Sequence, residues 1–168
     1  MIVRPPDDAE LERLARSLGE VMRQRDWRLA TGESSTGGLI GHAITMISGA
    51  SDYYVGGAIC YSNLAKEREL GVPAALIAEH GAVSDEVAAA MAEGAWRRFS
   101  VDFGVSVTGI AGPDGGSAEK PVGLHYVGAA RVGHPPVVER HVFGFDRDGN
   151  RSAAAAAALE LAIREASA

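Results

Sequence analysis

The chain is poor in the residues that announce the commoner chemistries. It has one cysteine, Cys60, in 168 residues. An intramolecular disulfide is therefore excluded, and the usage fits a reducing compartment. Cys60 sits in the apolar run 55–61, where a small buried hydrophobe is the plainer reading than a reactive thiol. No apolar run approaches the roughly 18 residues that a membrane-spanning helix requires. The first ten residues, MIVRPPDDAE, carry no apolar stretch of signal-peptide length, so a cytoplasmic protein off the membrane is expected. Positive charge is not in excess: 16 Lys and Arg stand against 22 Asp and Glu, a net charge of −6 that argues against nucleic acid as a partner.

Several motifs are missing as well. The glycine-rich segment 32–38 has no P-loop lysine, and no G-x-G-x-x-G follows the first strand, which disfavours an ATPase or a dinucleotide oxidoreductase. Gly32-Glu33-Ser34-Ser35-Thr36 ends in Thr and fails the G-x-S-x-G elbow. The five histidines (42, 80, 125, 134, 141) are scattered without metal-ligand spacing, so no metal is expected. Repeats and internal linkers are absent, and the length suits a single domain over residues 1–168.

What is present is an alternation of helical and strand patterns. Asp7 and Asp8 can cap a helix to about residue 25, with Leu11, Leu14, Leu18, Val21 and Met22 on one face. A short strand is read over 27–31, a helix over about 35–47, a strand over 53–61, and a helix over 62–70 stopped by Gly71. A short helix follows Pro73, and Ser84 caps another that runs to about Phe99. A buried strand over 103–107 leads into an irregular loop, 108–121. Strands over 122–131 and 137–142 form an antiparallel pair, and an alanine-rich helix from about Gly149 closes the chain. This order implies an α/β protein: a three-layer α/β/α sandwich around a mixed, mostly parallel sheet.

Three clusters could carry chemistry. The first is Thr31-Gly32-Glu33-Ser34-Ser35-Thr36-Gly37-Gly38, a strand-turn-helix junction. It could cradle an anion on backbone N–H groups or present a serine nucleophile. The second is Tyr61-Ser62-Asn63-Leu64-Ala65-Lys66, where a strand exit gives way to a helix. A serine without histidine needs another base, and a desolvated lysine is the usual substitute. On spacing alone, a solvated lysine and an ordinary strand tyrosine are the plainer reading. The third is Val107-Thr108-Gly109-Ile110-Ala111-Gly112-Pro113-Asp114-Gly115-Gly116, either a ligand-facing strand end or a surface loop. Arg147 could add a fork for phosphate or carboxylate, or pair with a neighbouring acid.

Taken together, Glu33-Ser34-Ser35-Thr36-Gly37-Gly38, Tyr61-Ser62-Asn63-Leu64-Ala65-Lys66, Leu70-Gly71-Val72-Pro73, Gly81-Ala82-Val83-Ser84, residues 107–116 and Lys120-Pro121-Val122-Gly123 resemble the CinA C-terminal domain family in uninterrupted order. Its characterised members are nicotinamide-nucleotide amidohydrolases, and this chain resembles the stand-alone form. The resemblance implies Ser34 as nucleophile, with Tyr61 and Lys66 as catalytic partners. It places the substrate against Thr108, Gly109, Ile110, Ala111 and Gly112, and against Arg147. Position 35, commonly Cys in the family, is Ser here, and Phe145 replaces the usual glycine before Asp146-Arg147.

The implied reaction hydrolyses the carboxamide of nicotinamide mononucleotide (NMN) to nicotinate mononucleotide and ammonia, without a cofactor. Lys66 would take the Ser34 proton directly or through Tyr61, and N–H groups of Ser35, Thr36 and Gly37 would hold the oxyanion. A homo-oligomer is expected. The alternative is a non-catalytic module that binds a pyridine nucleotide or a protein partner.

Overall fold

The computed structural model describes residues 4–168. Helix α1 (Asp8–Arg25) starts at a capping box: the Asp7 carboxylate accepts from the Glu10 N–H, and the Glu10 carboxylate from the Asp7 N–H. Strand β1 (Leu29–Glu33) follows, then α2 (Leu39–Thr45), a 3-10 turn (Ala50–Asp52) and β2 (Tyr54–Ile59). Helices α3 (Asn63–Leu70), α4 (Ala74–His80) and α5 (Asp85–Phe99) lead to β3 (Phe103–Gly109). Strands β4 (Leu124–Arg131) and β5 (Val137–Val142) and helix α6 (Arg147–Ser167) complete the chain.

All five strands join one sheet in the order β2-β1-β3-β4-β5. Strand β1 pairs in parallel with β2 and β3, while β3–β4 and β4–β5 are antiparallel. Four strands thus share one direction and β4 alone is reversed, which is the mixed sandwich read from the sequence. Helices α1, α2 and α6 pack on one face around Leu11, Leu18, Ile44, Phe103, Val105, Val107 and Leu159. Helices α3, α4 and α5 cover the other face around Leu70, Ile77, Val87 and Met91.

Small residues set how closely the layers meet. The α5-facing side of β3 carries Gly104, Ser106 and Thr108. A Cβ at Gly104 would lie 2.1 Å from the Ala92 carbonyl oxygen, and Ser106 Oγ donates to the Ala88 carbonyl at 2.7 Å. Glycine in these strands therefore marks close backbone approach. On the opposite face, residues 153–158, all alanine, are buried along α6 between α1 and the sheet.

Several boundaries differ from the sequence reading. Strand β1 lies two residues later than expected, because Gly32 and Glu33 are held between two parallel neighbours, Ala58 and Ile59 on one side and Ser106 and Val107 on the other. Helix α2 begins at Leu39 rather than near residue 35, since Gly37 (φ 61°) and Gly38 (φ 103°) adopt left-handed backbone and stretch the turn. Thr108 and Gly109 belong to β3, where they pair with Tyr126 and His125. Helix α6 starts two residues earlier than expected, with the Asp146 side chain capping the Gly149 N–H.

The chain leaves β1 for the β2 edge and then returns past β1 to β3. The carboxyl ends of the three parallel strands therefore open on a topological switch point, where α/β sheets place their ligands.

Close packing at Gly104 is expected to tolerate no side chain. Gly104→Ala should lower unfolding free energy by about 1–3 kcal/mol. Gly144→Ala, where a Cβ meets nothing within 4 Å, should stay within about 0.5 kcal/mol of the parent in the same urea titration. Equal stability of the two variants would contradict this packing.

Candidate active site

The turn after β1 is built by Glu33. Its side chain is buried, and Oε2 accepts from Thr36 Oγ1 (2.7 Å) and from the N–H groups of Gly38 (3.0 Å) and Ile40 (3.1 Å). Oε1 accepts from the Gly41 N–H at 2.9 Å. The start of α2 thus already holds an anion, the protein's own carboxylate. The N–H groups of Gly38, Ile40 and Gly41, which an anion at the start of α2 would need, are spent on Glu33, so the anion-cradle alternative loses them.

What the turn presents instead is Ser34. Its N–H donates to the Val107 carbonyl at 3.1 Å, which ties it to β3. Its hydroxyl meets Lys66 Nζ at 2.9 Å. Lys66 projects from α3, whose first turn is capped by Ser62 Oγ on the Ala65 N–H. The side chain is only 2% exposed, and Nζ also donates to the carbonyls of Cys60 (3.0 Å) and Tyr61 (3.4 Å). Desolvation pushes the amine below the ordinary lysine value, opposed in part by Cys60. Among the described residues no carboxylate contacts it, so its charged form has only neutral oxygens and Cys60 for support.

The three contacts suit either protonation state. An ammonium donates three hydrogens to three oxygens. A neutral amine can donate two to the fixed carbonyls and turn its lone pair to Ser34 Oγ, which then donates. The plainer reading, a solvated lysine, is excluded by this burial.

Other expected residues are placed less uniformly. A cavity of about 180 Å³ is lined by Ser34, Ser35, Tyr61, Lys66, Thr108, Gly109, Ala111 and Arg147 among others. Thr36, Gly37, Ile110 and Gly112 do not line it. Thr36 is buried in the turn, and the Gly37 N–H donates to the Ser34 carbonyl at 3.0 Å, so it is not free for a substrate oxygen. The Ile110 N–H is taken by the Leu124 carbonyl (2.8 Å), and the Gly112 carbonyl accepts from Arg147 Nη1 (2.6 Å). Among the described residues the Ser35 N–H makes no hydrogen bond, and it is the unspent backbone donor adjoining Ser34 at the cavity.

Tyr61 is 64% exposed, and its hydroxyl accepts from Arg147 Nη2 at 3.0 Å. Its carbonyl touches Lys66 while its hydroxyl contacts neither Lys66 nor Ser34, so the geometry gives no Tyr61 relay between them. Thr108 Oγ1 donates to the Ala82 carbonyl at 2.7 Å, which fixes the strand end against the segment before α5.

Sequence reasoning missed the residues that hold these pieces together. Asn150 Nδ2 donates to the Ala111 carbonyl, and its Oδ1 accepts from the Phe145 N–H, each at 3.0 Å. Arg151 reaches the carbonyls of the Ser34 turn. Asn63, Ala82 and Val83 also line the cavity. The spacing of Arg147 and Arg151, four apart on one helical face, was the available signal. Reading α6 from Gly149 puts Arg147 outside the helix, which conceals the face it shares with Arg151.

A switch-point crevice in which a buried lysine engages a serine hydroxyl defines the chain as an α/β/α protein with a serine–lysine pair at the carboxyl end of its parallel strands. The chain belongs to the family described as CinA C-terminal domain, which matches residues 11–166. It is 42% identical over 153 residues to the nicotinamide-nucleotide amidohydrolase PncC of Escherichia coli K12, covering 91% of this chain and 93% of that one. It is 51% identical over 147 residues to a CinA-like protein of Salinibacter ruber, covering 88% of this chain but 35% of that protein. The chain therefore spans about a third of the longer relatives it matches. The crystal structure of the competence/damage inducible protein CihA from Agrobacterium tumefaciens superposes with a TM-score of 0.90 at 39% identity, covering 98% of each chain.

Glu33→Ala should uncap α2 and strand one buried and two partly buried N–H groups together with the Thr36 hydroxyl. A stability loss of about 3 kcal/mol or more in chemical denaturation is expected. An unchanged midpoint and slope would contradict the capping role.

Proposed function

We propose that the chain hydrolyses the carboxamide of nicotinamide mononucleotide to nicotinate mononucleotide and ammonia. The observation that carries this reading is the 2.9 Å contact between Ser34 Oγ and a buried, carboxylate-free Lys66 Nζ. The 42% identity to the nicotinamide-nucleotide amidohydrolase over most of both chains supports the substrate class.

The neutral Lys66 amine takes the Ser34 proton as Oγ bonds to the carboxamide carbon. The carbonyl oxygen becomes an oxyanion, which the Ser35 N–H faces as donor. As the C–N bond breaks, the Lys66 ammonium returns its proton to the leaving nitrogen and ammonia departs. Water then attacks the nicotinoyl ester, gives a proton to Lys66, and Oγ leaves to recover that proton. Atoms and charge balance over one amide and one water.

The carbonyls of Cys60 and Tyr61 hold Nζ in place throughout, so the lone pair meets Oγ without rearrangement. The cavity at Ser34 is smaller than the several hundred Å³ that a whole ligand occupies. It suits the pyridine carboxamide, and the ribose phosphate continues into the adjoining cleft of about 490 Å³. Arg147 and Ala111 line both compartments, which supports Arg147 as the cation that meets the phosphate. Tyr61, bonded to Arg147, positions that guanidinium.

Ammonia release from NMN tests the reading, with nicotinamide, nicotinamide riboside and NAD as controls. Ser34→Ala and Lys66→Met should each lower kcat by about 10³-fold or more while the fold is kept. Normal activity in Ser34→Ala removes the nucleophile, and normal activity in Lys66→Met removes the base.

The pH profile follows from the direction of the Lys66 shift. Only the neutral amine accepts a proton, so kcat/KM should rise with pH through the depressed lysine value and then level. Activity that falls with rising pH over that range would contradict Lys66 as the base.

A further inference from the structure

The Ser34 turn is clamped from behind by a residue outside the cavity. Arg151 Nε donates to the Ser35 carbonyl at 3.2 Å, and Nη2 donates to the Thr36 carbonyl at 2.9 Å. Nη1 reaches Asp148 Oδ1 at 3.3 Å, which orients the guanidinium from its own helix. The fork lies under the turn: a Cβ added at Gly37 would stand 3.6 Å from Arg151 Nη2. Arg151 is not among the cavity-lining residues, so the two carbonyls it binds are turned to α6 rather than to the cavity.

Two consequences follow from elementary electrostatics. Peptide carbonyl oxygens left facing the cavity would repel the negative charge that forms on a carboxamide oxygen attacked at Ser34. Holding both against a cation removes that repulsion and sets positive charge behind the turn. In the same turn the Gly37 N–H closes on the Ser34 carbonyl, and among the described residues the Ser35 N–H is unspent. Two consecutive carbonyls need two donors in a fixed plane, which a guanidinium supplies and an ammonium does not.

We propose that Arg151 is a positioning residue for amide hydrolysis, its planar fork fixing the Ser34–Gly37 turn so that Ser34 Oγ and the Ser35 N–H face the reacting carboxamide together. Arg151 touches no substrate in this account. It acts through backbone geometry at the moment charge develops, so its effect falls on kcat rather than on binding. The inference rests on the amidohydrolase reading above.

Steady-state ammonia release from NMN by the parent, Arg151→Met and Arg151→Lys provides the test, with the melting temperature of each recorded. Arg151→Met should lose about 10- to 100-fold in kcat, with KM held within about twofold. Arg151→Lys, which keeps the charge but cannot fork, should recover only part of the loss. If Arg151→Met is too unstable to assay, the Lys variant carries the same expectation of reduced kcat at unchanged KM.

A parent-like kcat in either variant, or a loss confined to KM, overturns the positioning role while leaving the amidohydrolase reading standing. A parent enzyme that releases no ammonia overturns that reading first, and this inference with it.

Discussion

The fold turns on one unfavourable placement, an amine taken out of water and left without a counter-charge. Lys66 has its ammonium end among Cys60 O, Tyr61 O and Ser34 Oγ, none of which carries a formal negative charge. Burial of this kind is costly, and it lasts only where the surroundings over-determine the position. Here they do. The lysine rises from a helix whose start is capped by Ser62, whose end is stopped at Gly71, and whose flank packs on α5. Moving Lys66 outward would break its contacts with the Cys60 and Tyr61 carbonyls and with Ser34 together.

That placement makes the rest of the crevice intelligible. Glu33, one residue before Ser34, is also buried, but it is of opposite charge type, faces the other way and is satisfied by the start of α2. The chain thus separates a carboxylate and an amine that a direct ion pair would have neutralised. A Glu33–Lys66 pair would hold the amine protonated and useless as a base. Instead the carboxylate stabilises the turn, and the amine is left to the serine. The first turns of α6 then draw the three site segments together: Arg147 on Tyr61 and Gly112, Asn150 on Ala111, and Arg151 on Ser35 and Thr36.

Much of this was legible in the sequence, for identifiable reasons. Capping residues (Asp7, Ser62, Ser84) and stop glycines (Gly71) act locally, so helices α1, α3 and α5 were found close to their observed bounds. The pairing of Ser34 with Lys66 was suggested by residue type and by family resemblance, since contact across 32 positions leaves no periodic trace. What stayed hidden depended on partners distant in the chain. The length of β1 is set by neighbours on both sides, and nothing in Gly32-Glu33 reveals them. The role of Glu33 stayed open because it appears only when the turn folds back on the carboxylate. The resemblance left the Ser34 proton a direct route or one through Tyr61, and no local signal points to the Tyr61 hydroxyl's partner, Arg147, 86 residues away.

The central claim is that Ser34, relieved of its proton by Lys66, carries the acyl group of the substrate. Rapid quenching of the enzyme in acid during turnover of NMN, followed by mass analysis of its peptides, tests this most directly. The account predicts a nicotinoyl nucleotide ester on the peptide that bears Ser34, lost on further incubation and absent in Ser34→Ala. Product formed at the parent rate with no acyl group on Ser34, or with the group on another residue, would contradict it.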